Sequence, residues 1–237
     1  MDCDIYCISS KDRLPKKLYK NVNQINLYCG AFSLSQKERQ ELEKDFIFDD
    51  YKDEISALNF TFCELTGVYN VWKNFINGTK NGFIGFCHYR RFWKESELID
   101  LDESSIYIPK RDIWDTSVYT QYIRHHGTYG MSCLDFLSNN NRIPIKENHF
   151  KQLFTLNRFH PCNMFIMNKS NFNKFSQIFF ETLFVIYHNS KYYIDNCDSY
   201  QKRFMGFIGE RVGNIIINNA DYYLGIKSIK EIPIENI

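Results

Sequence analysis

The chain has 237 residues, 44% hydrophobic and 24% charged, which is material for a real core and excludes a disordered chain. Its formal charge is +1, from 29 basic against 28 acidic residues, so no global field recruits nucleic acid or an anionic bilayer and any anion site must be local. The eight cysteines fall in no CxxC pair and no metal-finger spacing, and they read as reduced thiols of a cytosolic protein.

The start, "MDCDIYCISS", has no basic segment leading into an apolar one, so no secretory signal is expected. The most apolar stretches, such as "FSQIFFETLFVIY", are too short and too polar to span a bilayer. Aromatic residues reach 17%, for which a composition rich in Asn, Lys and Ile is a better explanation than an aromatic binding surface.

"DIYCISS" (4–10) alternates and predicts a first strand. It runs into "KDRLPKK", a basic loop at the carboxyl end of a strand, where open α/β sheets place ligands. A surface lysine cluster explains the same charge equally well. Residues 34–46 predict a short charged helix. A longer helix is predicted from Ser56, as cap, through Ile76, because Leu58, Phe62, Leu65, Val68, Tyr69 and Trp72 recur at three- and four-residue spacings. Gly67 fits inside it only where a neighbour comes close. "NGTKNG" predicts a turn, "FIGFCH" a strand buried on both faces, and "SSIYIPK" (104–110) another strand ended by Pro109.

Residues 111–160 predict one or two helices and a mobile connection near Ser138–Asn148. A strand over 162–167 and an amphipathic helix follow. Then come a helix within "DSYQKRFMGFIGERVGNIIIN" and a closing strand in "GIKSIKEIPI". The alternation of helices and strands predicts an α/β sandwich.

Three stretches carry chemistry. "HYRRFW" ends the apolar strand with Arg90 and Arg91, whose forked donors match phosphate oxygens and stay charged at physiological pH. The competing reading pairs one arginine with a carboxylate, solvates the other, and puts Tyr89, Phe92 and Trp93 in the core. RNA binding finds no support elsewhere in the sequence. In "NFTFCELTGVYNVWKN", Glu64 sits beside the apolar stripe and needs a partner, for which an arginine of "HYRR" is the natural candidate. In "RFMGFIGERVGN", glycines 206, 209 and 213 allow close packing, and Glu210 is a candidate general base or hydroxyl acceptor. An intrahelical or Arg203 salt bridge is the alternative for Glu210, and Asp195 and Asp198 are competing acids. His88, His125, His126 and His160 have no metal-site spacing, and neither a GxSxG elbow nor a P-loop occurs.

"ISALNFTFCELTGVYNVWKN" followed by "FIGFCHYRRFW", "IYIPK", "CNMFIMNKSNF" and "GFIGERVGNI" closely resembles the DUF4422 family of bacterial exopolysaccharide, capsule and O-antigen glycosyltransferases, including galactofuranosyltransferases. The resemblance runs from "DIYCISSK" to "IKEIPI". It departs at the start, where Ser10-Lys11 stands in place of a His-Lys pair. It implies a GT-A-type fold, a Rossmann-type mixed sheet flanked by helices in a single compact domain over 1–237, with a nucleotide-sugar-binding half (1–110) and an acceptor-side half (111–237).

The implied function is transfer of a hexose, galactose or galactofuranose, from a UDP-sugar to a capsular, O-antigen or lipid-linked glycan, with inversion. Arg90 and Arg91 are expected at the diphosphate, His88 and Tyr89 beside them, and Ser10 and Lys11 along the nucleotide. Glu210, Glu64 and Asp198, in that order, are the expected acids. His88-Tyr89-Arg90-Arg91 occupies the place of an Asp-x-Asp metal motif, so no metal cofactor is expected. The runner-up is Mn²⁺ or Mg²⁺ on Asp100 and Asp102 of "DLDES". A lipid-linked acceptor would bring the protein to the inner face of the plasma membrane as a peripheral protein. Two other functions fit the same residues: a non-catalytic nucleotide-sugar-binding or scaffold protein, and a phosphoryl or phosphoglycerol transferase.

Overall fold

The computed structural model describes residues 3–11, 13–78 and 82–237, so part of the "NGTKNG" turn and Asp12 of the basic loop lie outside the described residues. In chain order the strands are β1 (Cys3–Ser9), β2 (Asn23–Tyr28), β3 (Ile47–Phe48), β4 (Phe83–His88), β5 (Arg91–Trp93), β6 (Ser105–Pro109), β7 (Asp112–Ile113), β8 (Arg158–Phe159), β9 (Ile166–Asn168), β10 (Ser228–Ile232) and β11 (Ile234–Asn236).

Among the described residues nine of these make one mixed sheet, seven in the order β10-β6-β9-β4-β1-β2-β3 and two, β5 and β11, as an antiparallel extension beside β4. β1 is parallel to both neighbours, β2 and β4, and is buried along its whole length. Its successive side chains enter two different cores, as a two-residue period requires. Tyr6 and Ile8 face the helical side with Leu27, Phe86 and Ile106. Cys3, Ile5 and Cys7 face a smaller core with Phe92, Trp93 and Ile166. The expected α/β fold with a mixed sheet flanked by helices is therefore the observed one.

β9 is antiparallel to both β4 and β6, so β6 runs in the same sense as β4. The carboxyl ends of β1, β2 and β4 thus share one edge, and the segment leading into β6 lies at the other.

Two long expectations break where the site is built. The helix expected over 56–76 is divided into a 3-10 turn (Ser56–Leu58), short helices Asn59–Phe62 and Leu65–Asn70, and a π-helical stretch Val71–Phe75. The break falls at Cys63, whose φ of 52° and ψ of −129° no helix contains. The strand expected over 162–167 shrinks to β9, because Cys162 and Asn163 take positive φ and form a turn instead.

The charged helix spans only Gln36–Leu42, opened by a Ser35–Glu38 capping box. Residues 111–160 carry three helices, Val118–His126, Tyr129–Asn139 and Glu147–Lys151, and the small β7–β8 pair. The amphipathic helix runs for 28 residues, Lys169–Asn196, capped by Asn168. The next helix, Phe204–Asn218, packs on it and on the broken helix. A Cβ at Gly209 would sit 2.5 Å from Leu65 Cδ1, so a larger residue there would have to displace the buried Leu65 side chain. The expected closing strand is two strands, β10 and β11, separated by Pro233.

Candidate active site

At the carboxyl edge of β1, β2 and β4 lies a cavity of about 480 Å³. Its floor comes from Ser9 at the end of β1, Ser10 after it and Cys29 after β2, and its walls from the "HYRR" turn, the broken helix and the helix Phe204–Asn218. Sheet-edge clefts of this kind are where open α/β sheets bind ligands.

The "HYRR" segment is a hairpin: His88 pairs with Arg91 across a two-residue turn of Tyr89 and Arg90. The turn is pinned to the first strand, since the Tyr89 amide donates to Ile8 O at 2.9 Å. Phe92 and Trp93 continue into the core, with Trp93 Nε1 donating to Phe86 O at 2.9 Å. The four residues His88, Tyr89, Arg90 and Arg91 all line the cavity. His88 Nε2 lies 2.6 Å from Cys162 O and donates to it, because a carbonyl only accepts. Burial pushes the His88 imidazole below its ordinary value, against the pull of the Glu64 carboxylate. It is therefore neutral near pH 7, with Nδ1 as its acceptor.

Four arginines line the cavity: Arg13, Arg90, Arg91 and Arg203. The arginine ion pairs among the described residues belong to Arg39, Arg111 and Arg211 instead. Arg90 lies over the Tyr89 ring at 5.6 Å, and Arg203 Nε donates to Cys63 Sγ at 3.5 Å. The guanidinium groups at the cavity are thus not consumed by internal carboxylates.

Two acids join them. Glu64 follows the Cys63 break and accepts from Asn163 Nδ2 at 2.8 Å, with no arginine of "HYRR" in ion-pair contact. Glu210 accepts the Cys162 amide on Oε1 at 3.0 Å and Arg211 Nη1 on Oε2 at 2.8 Å, so its ion pair is with its chain neighbour and not with Arg203. Burial raises the Glu210 carboxyl above its ordinary value; the Arg211 charge opposes this and Glu64 adds to it. Burial also pushes the Cys63 and Cys162 thiols up to about 11 and 12, so neither supplies a thiolate nucleophile near neutral pH.

The break that presents Glu64 is held from behind by Asp49, which is fully buried. Its carboxylate accepts from the Gly30 and Ala31 amides at 2.9 and 3.0 Å and from the Ser56 and Thr66 hydroxyls at 2.6 and 2.5 Å. Asn59 Nδ2 then donates to Thr66 Oγ1 and to the Cys63 carbonyl at 3.0 and 2.8 Å.

Of the other residues singled out in the sequence, Ser10 lines the cavity and Lys11 does not: it is exposed and pairs with Glu38 at 3.3 Å. Asp198 accepts the amides of Tyr200 and Gln201 and stands outside the cavity, while Asp195 pairs with Lys191. Asp102 accepts from Ser104 and Ser105 and pairs with Lys230. With Asp100 it precedes β6, at the sheet edge opposite the cavity. Among the described residues no group of three or more His, Cys, Asp or Glu side chains is arranged to hold a metal ion, and no helix is long and apolar enough to cross a membrane.

Sequence reasoning missed Arg13, and it weighed Arg203 only as an ion-pair partner of Glu210, not as a cavity residue. Arg13 lies in the same basic loop that drew attention to Lys11. Arg203 precedes Glu210 by seven residues, and the spacing that suggested an ion pair instead brings both to one cavity.

An α/β fold with an arginine-rich cavity at the carboxyl edge of its sheet is thus the class of protein defined. Residues 16–221 match the family described as a domain of unknown function, DUF4422, and the chain belongs to that family. The chain also superimposes on the apo structure of the bifunctional glycosyltransferase WbbM with a TM-score of 0.77 and 22% identity. That match covers 100% of this chain and 45% of the WbbM chain, so the likeness is one of fold with less than half of a longer protein. No curated protein matches the sequence.

Proposed function

We propose that this protein is a glycosyltransferase that moves a hexosyl group, galactose or galactofuranose, from a UDP-sugar to a hydroxyl of a surface glycan or its lipid-linked precursor. The observation that carries this reading is one cavity in which four arginines, without an ion pair among the described residues, meet two carboxylates. A nucleoside diphosphate requires the former, and activation of a sugar hydroxyl requires one of the latter.

In the reaction, the acceptor oxygen bonds to the anomeric carbon as the bond from that carbon to the β-phosphate oxygen breaks. The electron pair leaves with UDP, and the hydroxyl proton passes to a carboxylate. Arg90 and Arg91, with Arg13 and Arg203 around them, stabilise the charge that grows on the diphosphate, the task a bound metal performs in other enzymes. Glu210 suits the base: two donors fix it, and burial, by raising its pKa, strengthens it as a proton acceptor. Inversion at the anomeric carbon follows from a single displacement. The WbbM likeness supports the class of reaction, and the family membership is consistent with it.

The test is UDP release from UDP-galactose and from UDP-galactofuranose, with and without glycoside acceptors. Release that disappears in a double R90A/R91A variant supports the reading. UDP binding with no release across a wide acceptor panel would replace catalysis by nucleotide-sugar sensing.

A further inference from the structure

A second cavity, of about 270 Å³, adjoins the first and shares Glu64, Arg203 and Glu210 with it. Beyond those shared residues its wall has a different character. Trp114 stacks on Phe159 at 5.1 Å, and Phe207 stacks on His126 at 3.9 Å with Tyr200 beside it at 5.2 Å. Burial pushes the His126 imidazole down to about 4, so the His126 ring is uncharged at neutral pH. Its polar groups are Gln121, whose Oε1 accepts from Arg211 Nη2 at 2.6 Å, and Arg211 itself, which also holds Glu210. The first cavity offers free guanidinium groups, whereas the second offers ring faces with a few fixed polar atoms at one end.

That division matches the two substrates of a group transfer. Phosphates seek the guanidinium groups. A sugar ring presents an apolar C–H face and a rim of hydroxyls, which fits aromatic faces beside convergent polar groups. A base that deprotonates an acceptor must touch the acceptor while remaining beside the donor carbon, and Glu210 lines both spaces. Resting on the reading of the first cavity as the donor site, we propose that the second cavity is the acceptor subsite. It takes the terminal hexosyl residue of the acceptor glycan, with Trp114 and Tyr200 as its specificity-determining walls.

The experiment is saturation-transfer NMR on the full chain with UDP present, using methyl galactopyranosides and methyl galactofuranosides as probes. Tyr200 is 52% exposed and Trp114 half-buried, so W114A and Y200A truncate the wall without emptying the core, and matched thermal melting confirms their folding. The expected result is saturation of the glycoside ring protons in the wild type. Binding should weaken roughly three- to tenfold in each variant, the range expected of a single aromatic stacking contact, with UDP affinity unchanged. Three results overturn the subsite while leaving the donor reading standing: no glycoside binds although UDP does, both variants bind as the wild type does, or UDP displaces the glycoside. Failure of UDP itself to bind removes the donor reading and this inference with it.

Discussion

Glu210 and Arg211 are adjacent in sequence and joined by their side chains, Arg211 Nη1 donating to Glu210 Oε2 at 2.8 Å. Arg211 is 3% exposed and Glu210 22%, so the pair has one partner in the core and the other at the cavity. The arginine steadies the carboxylate without covering its cavity side. Replacing Glu210 by Gln keeps the shape and removes the base. Transfer should fall about 10²- to 10⁴-fold while UDP binding persists. An E210Q variant with wild-type turnover would transfer the role to Glu64.

The same pair fixes a pH dependence. A base must be deprotonated to act, and burial raises Glu210 above its ordinary value. Activity should therefore be lost on acidification at a higher pH than an exposed carboxylate would give. Arg211 opposes that shift, so R211M should move the acid limb of the kcat/KM profile further up. A limb that stays in place or moves down would show that the titrating group is elsewhere.

How much of this was legible in the sequence depends on the range of the interactions. β4 was readable because a strand buried on both faces writes a local pattern, and "HYRR" announced itself by placing charge where that pattern stops; β1 was readable as β-rich, though it is buried along its whole length where alternation was expected. Glu64 and Glu210 stood out because an acid among apolar residues needs a reason. The broken helix was not readable, since the stripe from Leu58 to Trp72 keeps helical spacing straight across Cys63. What breaks it is only partly local: Asn59 holds the Cys63 carbonyl from within the same stripe, but Asp49, remote in sequence, holds Thr66. The aromatic wall beside the site also eluded the sequence. Trp114, Phe159 and Phe207 come from three separate segments that only the tertiary fold unites.

Arg90 and Arg91 should each contribute to UDP affinity. A hydrogen bond to a charged group contributes about 1.5–3 kcal/mol, so either alanine variant should weaken UDP binding about ten- to a hundredfold, with a shallower salt dependence. Titration calorimetry at two ionic strengths reads both effects. UDP release should also survive EDTA. A strict requirement for added Mn²⁺ would mean that the guanidinium groups do not suffice for the departing diphosphate.

Asp49 is a structural prediction. Its carboxylate gathers two amides and two hydroxyls from three segments, with no exposure. D49A leaves those buried donors unpaired, and each such loss costs about 1–3 kcal/mol. The variant should lose about 3 kcal/mol or more in chemical denaturation, and Glu64 should lose its fixed position with it. A loss below about 1 kcal/mol would show that the network relaxes without its centre.

Cys63 tests whether the break beside Glu64 is held under strain. Its φ of 52° with ψ of −129° is a region in which a Cβ is crowded and glycine is at ease. Such residues cost about 1–3 kcal/mol, from which glycine's extra unfolded-state entropy of about 0.5–1 kcal/mol must be subtracted. C63G should therefore stabilise the fold by about 1 kcal/mol, a rise of about 2–4 °C in Tm for a chain of this size. The thiol's hydrogen bond from Arg203 Nε, at 3.5 Å, is weak enough that its removal does not reverse the sign. C63A removes the same hydrogen bond but keeps the Cβ, so it should show no gain. If the glycine and alanine variants melt together, Cys63 stores no strain, and the surrounding hydrogen bonds alone direct Glu64 into the cavity.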